Sequence, residues 1–132
     1  MIEQGIKELL TSSTEFSAIA ANRLYPLLLP TDSALPAATY NVVSVTPLYE
    51  LTERVNFTKL RLQIDAWGTT YSDAKDLAAA IVDTLDNFSG LLPDGTQVFG
   101  VQLRNSTDDY EHEALTFRVL TEFNIQFAHS AS

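Results

Sequence analysis

The residues able to do chemistry in this chain are few, and their spacing argues against most of the chemistries they suggest. The sequence has two histidines and no cysteine, which removes thiol catalysis and zinc–thiolate centres. His112 sits in an acidic stretch and His129 near the end. Neither has a second histidine three or four residues away, the spacing that turns two imidazoles toward one metal from a helix. His112 beside Glu111 and Glu113 therefore reads as part of a solvated loop. Ser106, Asp108 and His112 are a nucleophile, acid and base by type alone, because no strand-to-helix elbow surrounds the serine. Asp108, Asp109, Glu111 and Glu113 lack the spaced oxygen ligands and the glycine of a calcium loop. The five glycines form no phosphate-cradling run. Trp67 and Tyr71 have the rings to stack on a ligand, but their position suits closing a strand-to-helix turn better. The expectation is a protein without catalytic residues, metal or cofactor, whose work is done by surfaces.

The element that organises those surfaces is Phe57 to Phe88. From Phe57 to Trp67 apolar and polar residues alternate: Leu60, Leu62, Ile64 and Ala66 on one face, Lys59, Arg61, Gln63 and Asp65 on the other. Side chains on a strand point alternately up and down, so the pattern marks a sheet with one buried and one wet face. Ala74, Leu77, Ala78, Ile81, Leu85 and Phe88 then follow in steps of three and four, one stripe of an amphipathic helix. Such a strand and such a helix close on each other as two layers.

The remaining elements fit around that pair. Ile2, Ile6, Leu9 and Leu10 form one face of an opening helix, and Ser13 or Thr14 can cap a second short turn carrying Phe16 and Ile19. Asn22 to Pro26 is expected as a short strand that Leu27-Leu28-Leu29 continue to Pro30. Pro30 to Pro36 is a loop, and Ala38 to Thr46 is a long strand rich in β-formers. Pro47–Asn56 is long for a hairpin and carries Tyr49, Leu51 and Val55, so it either projects as an arm onto a neighbouring subunit or folds back over its own sheet. Gly90 is expected to take the left-handed position that ends the helix. Gln97 to Arg104 is a strand, Asn105 to Glu113 an acidic loop, and Leu115 to Phe127 the last and longest strand. The fold class is α+β: a single two-layer domain over 1–132, with a mixed or antiparallel sheet of four to five strands and two main helices packed on one face. Residues 128–132 are expected to fray.

A chain of 132 residues can bury a sufficient core without disulfides or metal. Its net charge of −9 keeps it soluble and repels phosphate backbones, which excludes a basic groove wrapping DNA. The N-terminal residues lack the plan of a signal peptide, and no apolar run approaches the ~20 residues of a membrane span, so synthesis in the cytosol without membrane contact is expected.

Three short runs together resemble a known family. They are Asn22-Arg23-Leu24-Tyr25-Pro26 after the opening helix, then Leu35-Pro36-Ala37-Ala38-Thr39-Tyr40. The third is Leu62-Gln63-Ile64-Asp65-Ala66-Trp67, followed by Tyr71-Ser72-Asp73-Ala74. Their order and spacing over residues 2 to 127 are similar to those of bacteriophage tail-completion or tail-terminator proteins, which form the head-proximal ring of long-tailed phages. The resemblance implies a structural virion protein, not an enzyme, assembled in the host cytoplasm as a homo-oligomer, usually a hexamer. Its implied partners are the tail tube protein and the head–tail connector or stopper protein, with DNA passing through the lumen and not read by sequence. Within that frame Tyr49, Leu51 and Val55 are expected at the subunit interface, and Asp108, Asp109, Glu111 and Glu113 on a loop facing the lumen or the docking rim. The alternative reading is a small α+β ligand-binding or regulatory domain, dimeric, which calls for a concave apolar pocket with converging polar groups.

Overall fold

The computed structural model describes residues 2–48 and 57–128. Three helices come first to hand: α1 (Ile2–Ser12), α2 (Thr14–Ala20) and α3 (Tyr71–Leu85). The strands are β1 (Leu24–Pro26), β2 (Ala37–Leu48), β3 (Phe57–Gly68), β4 (Gly90–Leu91), β5 (Gln97–Glu111) and β6 (Thr116–Ala128). They form one sheet in the order β1-β2-β3-β6-β5-β4, parallel only between β1 and β2. The class is α+β as expected, but the sheet has six strands instead of four to five. The extra strand is β4, two residues whose ladder depends on β5 and which have no apolar alternation of their own to betray them.

The alternation in β3 is realised as read. Leu60, Leu62, Ile64 and Ala66 are buried under the helices, where they meet Phe123, Ile125 and Phe127 of β6 and the α3 stripe Ala74, Leu77, Ala78, Ile81 and Leu85. Burying each large aliphatic side chain here is worth roughly 1.5–3 kcal/mol. Thr121 lies within this apolar face, and its hydroxyl donates to the Ile64 carbonyl oxygen at 2.7 Å, so the polar group is satisfied across the strands. Ser13 caps α2 by accepting from Phe16 N–H, and Thr70 caps α3 by accepting from Asp73 N–H at 3.1 Å. Gly68 enters α3 so tightly that a Cβ there would stand 2.7 Å from the Ala74 backbone nitrogen.

Five local expectations are corrected. Leu27-Leu28-Leu29 do not extend β1. Leu28 N–H donates back to the Pro26 carbonyl at 2.7 Å, and Leu27 at the centre takes φ 63, a positive-φ γ-turn that throws the chain outward. Asn87 rather than Gly90 takes the left-handed position after α3, at φ 65, because an Asn tolerates it and the chain must turn there to reach Val101, whose carbonyl accepts from Asn87 N–H. Asn105 to Glu111 is not a loop. It continues β5, the longest strand, paired residue by residue with Thr116–Glu122, and the template strand overrides the weak strand preference of Asp and Asn. Leu115 is outside β6, in the turn, at φ 54 and exposed. Tyr49, Leu51 and Val55 lie outside the described residues, as do residues 129–132; Ala128, expected in the frayed tail, closes β6.

Candidate functional site

All three helices lie over one face of the sheet; among the described residues the other face carries no helix, and only the Leu27–Leu35 segment flanks it, beside Trp67. Strand alternation and the β3–β6 and β5–β6 registers set its residues: Lys59, Arg61, Gln63, Asp65 and Trp67 from β3, with Arg118, Glu122, Asn124 and Gln126 from β6 and Asp109 and Glu111 from β5. Arg104, at a β5 bulge, reaches the same face.

The charges there are interlocked. Arg61 grips Glu122 through two nitrogens, and Arg104 Nε stands 3.5 Å from the same carboxylate. Arg118 lies among three carboxylates, 2.7 Å from Asp109, 3.2 Å from Glu111 and 3.7 Å from Asp65, while its guanidinium sits over the Trp67 ring at 5.4 Å. Trp67 Nε1 donates to Thr39 Oγ1 at 3.0 Å, which fixes the ring as that platform. Lys59, Arg61, Arg104 and Arg118 thus balance Asp65, Asp109, Glu111 and Glu122, so a chain of net charge −9 presents a neutral sheet face. Within the face the signs are sorted. Lys59, Arg61 and Arg104 stand at the β2–β3 end with Glu122, and Asp65, Asp109 and Glu111 gather round Arg118 near the β5–β6 turn.

That pairing separates the acidic quartet expected on one loop. Asp109 and Glu111 point to the bare face. Asp108 points to the helix side, where it accepts from the Tyr71 hydroxyl at 2.6 Å and from Lys75 at 3.0 Å. Glu113 stands exposed in the His112–Leu115 turn. The Tyr71 hydroxyl and Lys75 hold Asp108 below the ordinary carboxylate range, and Arg118 does the same for Asp109. The Ser106–Asp108–His112 set does not assemble: Asp108 spends its oxygens on Tyr71 and Lys75, and His112 packs edge-on against Tyr110 at 5.0 Å. Among the described residues, no three His, Asp or Glu gather to hold a metal ion, and no helix is long and apolar enough to cross a membrane. A cleft of about 720 Å³ opens between the Leu27–Leu35 segment and the β5–β6 turn, with Trp67, Arg118 and Glu111 on its floor.

The family model described as tail completion protein gp17 matches residues 4–127. The chain belongs to this family. Tail completion proteins are structural components of the bacteriophage virion, and the residues that carried the resemblance all fall inside the match. The fold agrees. A chain from the virion of a native gene transfer agent particle superposes with a TM-score of 0.81 at 16% identity, over 97% of this chain and 95% of that one. No curated protein matches the sequence closely enough to count as a relative.

In this tail completion protein the carboxylate to which the sequence reading gave no role beyond the wet face of β3 is Asp65. It belongs to the family-like Gln63–Trp67 run and is almost buried. Burial pushes its carboxyl above the ordinary range, while Gln63, donating at 3.0 Å, and Arg118 pull the other way. The folded state therefore binds this proton more tightly than the unfolded chain does. The stability this proton adds is present at low pH and is lost as pH rises through the ordinary carboxylate range, about pH 4, and then the raised folded value. Asp65→Asn keeps an acceptor for Gln63 and carries no charge. Relative to that variant, the wild-type chain is expected to lose stability as pH rises from about pH 4 through the raised folded value of Asp65. Urea midpoints measured across the range check this, and a pH-independent difference between the two proteins contradicts it.

Proposed function

We propose that this chain is the ring-forming subunit, in a hexamer, that caps the head-proximal end of the tail tube, stops its growth and offers the surface to which the head-side connector or stopper docks. DNA passes through the ring during packaging or ejection and is not read by sequence. The observation that carries this reading beyond family membership is the bare sheet face with its balanced, interlocked charges. A wall of that kind neither holds phosphates, as a basic groove does, nor repels them over long range, as an unpaired acidic wall does. We place it toward the lumen and the helix layer outward. The β5–β6 turn, with Glu113 at its tip and Asp109 and Glu111 beside it, then stands at an end of the ring, as the docking rim. Its Asp109 and Glu111 are already held by Arg118 and Glu113 stands alone at the tip, an arrangement that suits docking, and we read the function as structural and not enzymatic. The protein works in the virion neck after assembly in the host cytoplasm.

Mixing the purified chain with tail tubes tests this under the electron microscope: rings at one end of each tube are expected, and unaltered tubes beside free monomers refute it. Reversing Asp108, Asp109, Glu111 and Glu113 to Lys is expected to abolish head joining. Glu113 makes no ion pair among the described residues, and Glu113→Lys alone is expected to weaken joining while leaving tube capping intact. Normal infectivity of both variants rules out the rim placement.

The cleft beside Trp67 is what favours the rival, a dimeric ligand-binding or regulatory domain. It is open along one side and its charged groups bind one another, which suits a protein rim better than an enclosed small ligand.

A further inference from the structure

Apart from Tyr71 at the start of α3 and Leu115 in the β5–β6 turn, the exposed large apolar residues gather at the two edges of the sheet. Leu27, Leu28, Val43 and Val45 lie at the β1–β2 edge of the sheet, and Leu91, Phe99 and Leu103 at the opposite β4–β5 edge. The middle strands β3 and β6 carry none of them. Both edges are also open ladders. β1 pairs with β2 only at Ala38–Tyr40, so among the described residues Asn41–Leu48 has no partner on its outer side. β4 pairs with β5 only at Gln97 and Val98, and the end of α3 covers Val101 and Leu103 through Asn87 N–H and the Asp86 side chain. Beyond that point, among the described residues, β5 has no strand partner on its outer side as far as Glu111, and every residue from Gln102 to Asp109 is exposed, whichever face it points to.

A strand exposed along its length, met on the helix side only where Tyr71 and Lys75 reach Asp108, and open along one edge is a poor end state for an isolated domain. β2 also contains no charged residue, one device for keeping an edge from pairing; its bulge between Val42 and Ser44 and Pro47 near its end leave Ser44–Thr46 as the stretch best able to pair. In a chain of net charge −9 this is where another copy can approach with least repulsion. Three antiparallel steps, β2 to β3 to β6 to β5, leave β2 and β5 running in opposite directions. A neighbour turned about an axis along the strands therefore lays its β2 antiparallel to β5 and continues the sheet.

We infer that copies of this chain join head to tail, the Asn41–Leu48 edge of one along the Arg104–Glu111 edge of the next. The contact is heterologous: each copy offers two different surfaces, and a closed ring consumes both, whereas β2 against β2 in a two-fold dimer leaves the β4–β5 apolar residues in water. The inference rests on the ring reading and specifies its joint.

Because the chain has no cysteine, an introduced pair is the only one. Ser44→Cys with Thr107→Cys, and Ser44→Cys with Asn105→Cys to allow for register, are oxidised with and without tail tubes. A ladder of covalent dimers, trimers and higher species is expected from a double variant and none from the single variants. Dimers alone from Ser44→Cys, or no ladder from either double variant on tubes that carry rings, overturn the edge contact while the ring stands. Tubes without rings overturn the ring and the contact together. Val45→Lys is expected to raise the concentration at which rings half-dissociate by about tenfold or more with the urea midpoint unchanged. Rings indifferent to it contradict the joint.

Discussion

Phe123→Ala is expected to destabilise the protein by roughly 3–5 kcal/mol, a large part of the ~5–15 kcal/mol that holds a domain of this kind. Phe123 is fully buried on β6, the strand between β3 and β5, where its ring faces Leu62 on one side and Leu103 on the other in the pairing. Truncation removes the transfer free energy of the ring and leaves a cavity between strands already joined by hydrogen bonds, so the walls cannot collapse into it. Urea unfolding followed by circular dichroism measures the shift in midpoint. A loss near 1 kcal/mol means that the helices close over the hole and that the core is less tightly packed than its burial indicates. Phe123→Leu, which fills part of the space, is expected to recover much of the loss.

Arg118→Met is expected to cost about 2–3 kcal/mol near neutral pH, more than a surface ion pair gives, since its partner Asp65 is almost buried. Methionine retains an apolar stem over Trp67 but leaves three carboxylates facing one another, with Asp65 least able to reach water. The loss is expected to shrink as pH falls and Asp65 takes up its proton. In the double variant Arg118→Met, Asp65→Asn, the two losses should sum to less than their separate values, since no buried charge is left stranded. Strict additivity in urea unfolding removes Asp65 from the account and assigns the effect to Asp109 and Glu111. If Arg118 also orders the rim, Arg118→Met is expected to impair head joining before tube capping.

The pattern of residues two, three and four apart determined a good deal by itself. Alternation from Leu60 to Ala66 marked both faces of β3, and the α3 stripe marked what covers one of them, because these periods belong to single elements and are local. The alternation of Arg118, Glu122, Asn124 and Gln126 with Val119, Phe123, Ile125 and Phe127 is local in the same way and puts the polar set on one side of β6. The motif order from Arg23 to Tyr71 was enough to resemble the family that the comparison then identified.

What the tertiary structure decided is non-local. The Asn and Asp residues from Asn105 to Asp109 outweigh the strand preference of Thr107 and Tyr110, and the stretch is a strand only because Thr116–Glu122 supplies hydrogen-bond partners across the turn. Pairing then sends Asp108 to Tyr71 and Lys75 and sends Asp109 and Glu111 to Arg118, turning one acidic run into two opposed surfaces. Which strands end the sheet is equally invisible to local periods. Strand order is set by how β6 inserts between β3 and β5, and that choice leaves the uncharged stretch of β2 and the far half of β5 as the open edges.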